Sequence, residues 1–214
     1  MSHKDLTKLS IKDLEYEVGQ SKQCLLEHNI NSSVFGNPFA SGWDNSTVVQ
    51  TLSKYYDIAR AGYGLLTFLD CYSIDLNQTD CRTYFDNGTS TLTNRYSLRL
   101  ASHNDLDSTY MHNSTKILPA FIEAVNKQTL YNDNGEINAI PIVVYHNIDY
   151  IKNNYSIDNN WYDSTTDVNL FDSEMKYLHG NGFKVFAMSD LGYNQTTNKL
   201  YIKNDASPNL FDVR

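Results

Sequence analysis

The sequence predicts an α/β fold in which parallel strands are covered by helices. Helical patterns alternate with short apolar runs, and these runs are apolar on both faces, as strands covered from both sides require. Three successive helix-to-strand units of this kind need crossover connections, which bring parallel strands together as a barrel or an open sheet. In both arrangements ligands sit beyond the carboxyl ends of the strands, where segments 36–43, 70–72 and 146–149 fall.

The elements follow in order. Ser10 marks the start of a helix, Asp13 acts as its short capping-box partner, and Ile11, Leu14, Val18, Leu25 and Leu26 form an apolar stripe. A short strand is expected over 30–35, after His28 and Asn29, followed by a Gly- and Pro-containing loop over 36–45 of the kind that shapes a binding rim. A second helix is predicted over 46–61, with Val48, Leu52, Tyr55, Tyr56 and Ala59 inward and Gly62 and Gly64 ending it, and then a buried strand over 65–69.

Residues 71–114 mix Asn, Asp, Ser, Thr and Tyr and read as a loop-rich insertion around one strand near 96–100. The helical pattern returns over 115–130, with Ile117, Phe121, Ile122 and Val125 inward. A turn at 132–135 leads to a strand over 140–145. A helix starting at Asp167 or Asn169 runs through His179 and is closed by Gly182, a strand is expected over 183–187, and 194–214 reads as a polar tail.

At 214 residues and 41% hydrophobic, the chain is long enough for one domain with a real core. Lys and Arg number 17 against 25 Asp and Glu, a formal charge of -8, which removes electrostatic support for nucleic-acid binding. No apolar run approaches the roughly 20 residues that span a bilayer, so no membrane span is expected. The start lacks the basic-then-apolar pattern of a secretory signal. Asn-x-Ser/Thr at Asn31, Asn45, Asn77, Asn87, Asn113, Asn154 and Asn194 nevertheless points to an extracellular or cell-surface location, although a chain rich in these residues also produces the pattern by chance. Of the 3 cysteines, Cys71 and Cys81 are placed to pair in an oxidising compartment, which would leave Cys24 as a small buried hydrophobe.

Ser2, His3, Lys4, Asp5 and Leu6, followed by Leu9, Ser10 and a helix, resemble the second half of the HxxxH signature of the polysaccharide deacetylases of the NodB-homology type. Pro141, Ile142, Val143, Val144, Tyr145, His146 and Asn147 resemble that family's late strand and its Leu-x-His-like segment. Phe171, Met175, Leu178, Gly182, Phe183, Lys184 and Val185, running to Asp190 and Leu191, resemble its closing helix and strand. The likeness spans most of 2–193 and is weakest over 71–114.

The resemblance implies a partial or distorted (β/α) barrel, N-terminally incomplete, that removes acetyl groups from a carbohydrate polymer. In such enzymes a divalent metal, typically zinc, held by one aspartate and two histidines activates water, with an aspartate as base and a late histidine as acid. Residue by residue, His3 becomes a metal ligand and His146 the general acid. Pro38, Phe39, Trp43 and Tyr72 become sugar-binding residues, with aromatic faces suited to stacking.

Three departures stand beside this resemblance. The partner histidine of the signature would precede Met1. The Thr-Phe-Asp-Asp-like strand carrying the base and the metal aspartate is missing, and Thr67, Phe68, Leu69 and Asp70 echo it only in the wrong order. The arginine of the family's Arg-Pro-Pro-Tyr-Gly loop corresponds to Gly36. Three readings therefore stay open: a metal-dependent deacetylase represented by its C-terminal portion, a catalytically silent domain that keeps a carbohydrate cleft, and a truncated product that folds poorly because missing opening strands expose strand edges and apolar surface. His28, His103, His112 and His179 have weaker claims, and no Gly-x-Ser-x-Gly elbow supports a serine hydrolase.

Overall fold

The computed structural model describes residues 2–69, 95–106, 114–133, 135–150, 165–197 and 199–203. Asp70, Cys71, Tyr72, Cys81 and His112, and with them the Cys71–Cys81 pairing, lie outside the described residues. The fold is mixed α/β with parallel strand pairing and flanking helices. The described residues fall into two compact units, one within residues 1–100 and 187–206 and the other within residues 101–186.

The first unit begins with a 3-10 turn, Leu6–Lys8, and helix α1, Ile11–Glu27. Ser10 caps α1 as expected: its Oγ accepts from the Asp13 amide at 3.2 Å and donates to the Asp13 carboxylate at 2.6 Å. Leu14 and Val18 are buried, whereas Ile11 at the helix mouth is 68% exposed and falls outside the packed stripe. Cys24 is exposed, not the buried hydrophobe expected of it, because the inward face at that level is taken by Ser21, whose hydroxyl meets Tyr56 Oη at 2.6 Å.

Helix α1 ends in a Schellman motif. Asn29 adopts φ +61°, its amide bonds Leu26 O at 2.9 Å, and the Ile30 amide bonds Leu25 O at 2.8 Å. Ile30 therefore belongs to the helix stop and is 51% exposed. The expected strand over 30–35 shrinks to β1, Val34–Gly36.

The largest correction concerns 46–61. Helix α2 covers Ser46–Leu52, capped by the Asn45 side chain, and β2 occupies Ile58–Tyr63. Ile58, Ala59, Ala61 and Gly62 are all buried, a two-sided burial that a surface helix cannot give and a covered parallel strand does. β2 pairs in parallel with β1, Val34 opposite Ile58 and Gly36 opposite Arg60, and on its other edge with the first residues of β4, Leu98–Ser102. Tertiary pairing thus overrides the helix propensity of the Ala-Arg-Ala run. Only Thr67–Phe68 of the expected 65–69 strand is extended, as β3.

Leu14 and Val18 of α1 pack with Val48, Val49 and Leu52 of α2 and with Tyr56, Ala59 and Tyr96. Tyr56 is tied twice, through Ser21 and by Tyr96 Oη donating to its carbonyl at 3.1 Å. The unit is completed by an antiparallel hairpin, β9 Leu191–Asn194 and β10 Lys199–Ile202, whose second strand falls inside the region expected to be a polar tail. Leu191 and Leu200 are buried, so its short alternation is a real strand signal.

In the second unit, Ala101 and Ser102 at the end of β4 pair in parallel with Val143 and Val144 of β6. The expected strand over 140–145 is split into β5, Ala139–Ile140, and β6 because Pro141 brings no amide to a ladder. Helix α3, Ser114–Asn126, buries Ile117, Phe121 and Val125 as predicted. β7, Asn147–Asp149, pairs in parallel with β8, Thr165–Asp167, which feeds helix α4, Val168–Gly180.

The Asp167 side chain caps α4 by accepting from the Asn169 amide. Gly182 at φ +71° closes the helix, with the Phe183 amide on Leu178 O at 3.0 Å. No strand forms over 183–187. Phe183 and Val185 instead pack with Phe121, Val125 and Leu178, a use of apolar side chains that needs no ladder.

Candidate functional site

In the first unit the loop leaving β1 carries three of the expected binding residues. Gly36 is followed by Asn37, whose side chain is buried and donates to Ser41 O at 2.8 Å. Its other side-chain atom, Oδ1, is buried without a hydrogen-bond partner among the described residues. Pro38, Phe39 and Ala40 form a tight 3-10 turn in which Phe39 has φ +58° and Ala40 φ +49°.

Two successive residues with a Cβ in the left-handed region cost about 1–2 kcal/mol each. Phe39 is nevertheless 62% exposed, so its ring gains little packing in return. Strained backbone of this kind clusters at active sites and ligand clamps.

His3 lies edge-on to this ring, with centroids 5.1 Å apart and planes at 71°. The N-terminal segment is also fastened by Asp5, which accepts from Ser41 Oγ at 2.9 Å and from Thr7 Oγ1 at 2.7 Å. These hydroxyl donors, Thr7 first, hold the Asp5 carboxyl down to about 2. His3 is thus an exposed ring against an exposed ring. Among the described residues no group of three His, Cys, Asp or Glu side chains comes together around a metal position. The described donors therefore do not fit the ligand set that the resemblance implies for His3.

Trp43 is half-buried and lies over β2: a Cβ at Gly62, which has φ +87°, would meet the indole at 3.6 Å. The Arg99 guanidinium is 5.9 Å from the Trp43 ring and donates through Nη1 to the Tyr63 carbonyl at 2.8 Å. Tyr63 is 60% exposed, and its Oη reaches the Phe39 carbonyl at 3.5 Å.

Arg60, opposite Gly36 in the ladder, turns its side chain over that glycine, where a Cβ would stand 3.2 Å from Nη2. The arginine that the resemblance expects at position 36 is absent, and a guanidinium from the neighbouring strand lies beside its place. Desolvation lowers the Arg60 pKa, and Tyr63 acts in the opposite direction. Sequence reasoning missed Arg60 because it assigned this stretch to a helix.

His146 belongs to the second unit, exposed just beyond β6 and ahead of β7. The residue before it is held firmly. The Tyr145 ring stacks on His103 with centroids 4.6 Å apart, meets Phe171 edge-on at 5.1 Å, and its Oη donates to Glu174 Oε2 at 2.8 Å. Burial first, and then the Glu174 carboxylate, push the Tyr145 phenol far above its ordinary pKa, so it stays a donor.

Glu174 Oε1 faces His103 Nε2 at 2.6 Å, and His103 Nδ1 faces Thr166 Oγ1 at 2.9 Å. The order Thr, His, Glu echoes a hydrolytic triad, but Thr166, His103 and Glu174 are 2%, 1% and 0% exposed, and no substrate reaches them. The network is a satisfied polar core that fixes the residue preceding His146. A signal for it was present in the sequence: Glu174 sits between Leu170 and Leu178 on the apolar stripe of α4, where a lone carboxylate needs a buried partner.

The expected site residues thus divide between the units: His3, Pro38, Phe39 and Trp43 in the first, His146 in the second. His3 touches Phe39, and Tyr72 lies outside the described residues. Compared with known proteins, the chain matches no family model, no curated protein and no solved structure.

Proposed function

We propose that this chain binds a carbohydrate polymer through the loop after β1, as a silent module of the polysaccharide deacetylase type built on a partial (β/α) barrel. The observation that carries this reading is Phe39, an exposed aromatic held in a left-handed turn, with Tyr63 reaching its carbonyl and Trp43 further along the same loop. Aromatic faces stack on the apolar faces of sugar rings, and a preset turn lowers the ordering cost of binding. Calorimetry with chitotetraose tests it: saturable binding weakened at least fivefold in Phe39→Ala supports the reading, and unchanged binding in that variant sinks it.

A second reading rests on His146, exposed at a strand's carboxyl end behind an anchored tyrosine. There the chain is a hydrolase that removes acetyl groups, with His146 as general acid. In that reading His3 would be one ligand of a divalent ion, zinc by donor type. Stoichiometric zinc uptake, together with acetate release that disappears in His146→Ala, supports this reading, and failure of both removes it.

A polymer ligand suits a location outside the cell or at its surface, and exposed Asn31 and Asn194 in Asn-x-Ser/Thr sites support that reading. No helix among the described residues is long and apolar enough to cross a membrane. Expression in a glycosylating host, with the mass read before and after glycosidase treatment, checks that placement.

A further inference from the structure

Arg60 is a cation that its described surroundings in the first unit leave without a counter-charge. It stands in the middle of β2, half-buried, in a chain whose formal charge is -8. Despite that excess of acid, no carboxylate among the described residues forms an ion pair with it, and its guanidinium makes no hydrogen bond to them. Removing a guanidinium from water without a counter-charge is costly, and proteins ordinarily neutralise such a group or hold it ready for an anion.

Its surroundings are shaped for approach. Gly36 beside it is exposed and has no side chain to cover the guanidinium. Two residues along β2, within a register shift of its ladder to β4, Gly62 makes room for Trp43, and exposed Tyr63 follows.

We propose that Arg60 anchors a carboxylate carried on a sugar ring, so that the polymer recognised here is acidic, containing uronate residues. The planar guanidinium matches a carboxylate in a forked pair of charge-assisted hydrogen bonds, which a lysine cannot reproduce. Trp43, with Phe39 and Tyr63, offers aromatic surface to the ring that bears the charge, and this favours a sugar acid over an acidic peptide. The inference deepens the carbohydrate-binding reading and rests on it.

Three ligands separate the two claims by calorimetry on the whole chain: chitotetraose, a tetrasaccharide alternating glucuronate with N-acetylglucosamine, and the methyl ester of that tetrasaccharide. The acid is expected to bind at least tenfold more tightly than its ester. The protein's overall negative charge works against that preference, so only a local cation produces it. The preference should vanish in Arg60→Met, which keeps an apolar stem of similar length, and shrink in Arg60→Lys, with circular dichroism confirming the fold of both.

Equal affinity for acid and ester in the unaltered protein overturns the inference, and this comparison needs no variant. An acid preference that persists in Arg60→Met overturns it as well. A glutamate-rich peptide that binds through Arg60 while the acidic tetrasaccharide does not would assign the cation to a protein partner instead. Binding of chitotetraose without any acid preference would retain the carbohydrate reading and remove the acidic one. Arg60-dependent binding of the acid alone would support the inference and end the neutral-polymer reading.

Discussion

Phe39 sits where two requirements conflict, and substitution separates them. Its backbone has φ +58°, and its side chain is 62% exposed. Full burial of a phenylalanine contributes about 1.5–3 kcal/mol, so the minor part buried here contributes about 0.6–1.1 kcal/mol. Phe39→Ala loses that packing and keeps the left-handed strain. Phe39→Gly loses the same packing, gains back about 1–2 kcal/mol of strain, and forfeits about 0.5–1 kcal/mol to the greater freedom of an unfolded glycine. The glycine variant should therefore be the more stable of the two by about 0.7 kcal/mol, the reverse of the usual order. Urea unfolding with a common slope reads this difference directly. Both variants should lose sugar affinity equally, because the ring is gone from each. An alanine variant as stable as the glycine variant, or more so, would refute the left-handed strain and with it the argument that this turn is held for recognition.

The other expectations concern the supports of the two units. Glu174→Ala removes the buried carboxylate that both His103 and the Tyr145 hydroxyl meet, so it should cost about 3–5 kcal/mol in denaturant unfolding. A loss below about 1 kcal/mol would show that the network is not closed. Leu52→Ala, at 0% exposure between α1 and β2, should cost about 2–5 kcal/mol by the same measurement. Asp5 should titrate near 2 by carboxyl NMR: its folded pKa is depressed, so its tie to Ser41 is complete above about pH 4 and is lost as pH falls through about 2. A midpoint at the ordinary 3.8 would mean that the N-terminal segment is not fastened to the loop.

Local chemistry made much of the fold legible. Ser10 with Asp13, Asp167 ahead of α4 and Gly182 behind it are short-range signals, and each performs its cap in the structure. The apolar spacing of Ile117, Phe121 and Val125 likewise identified a packed helix face. The failures share one cause. Ile58–Tyr63 carries residues acceptable to a helix, and only a parallel partner on each edge makes it a strand. Phe183 and Val185 look like a strand, yet their side chains pack on α3 and α4 without a ladder.

The candidate sites divide in the same way. The sequence alone determined the α/β class, the acidic charge, the turn-rich loop carrying Pro38, Phe39 and Trp43, and the position of His146 just after an apolar run. These depend on composition and on neighbours along the chain. Tertiary structure alone decided that Phe39 is strained and exposed, that Arg60 lies over Gly36, and that His103, Glu174, Tyr145 and Thr166 close into one buried network. Those facts depend on which strands pair and which side chains meet across long stretches of chain, and no spacing within the sequence encodes a contact of that kind.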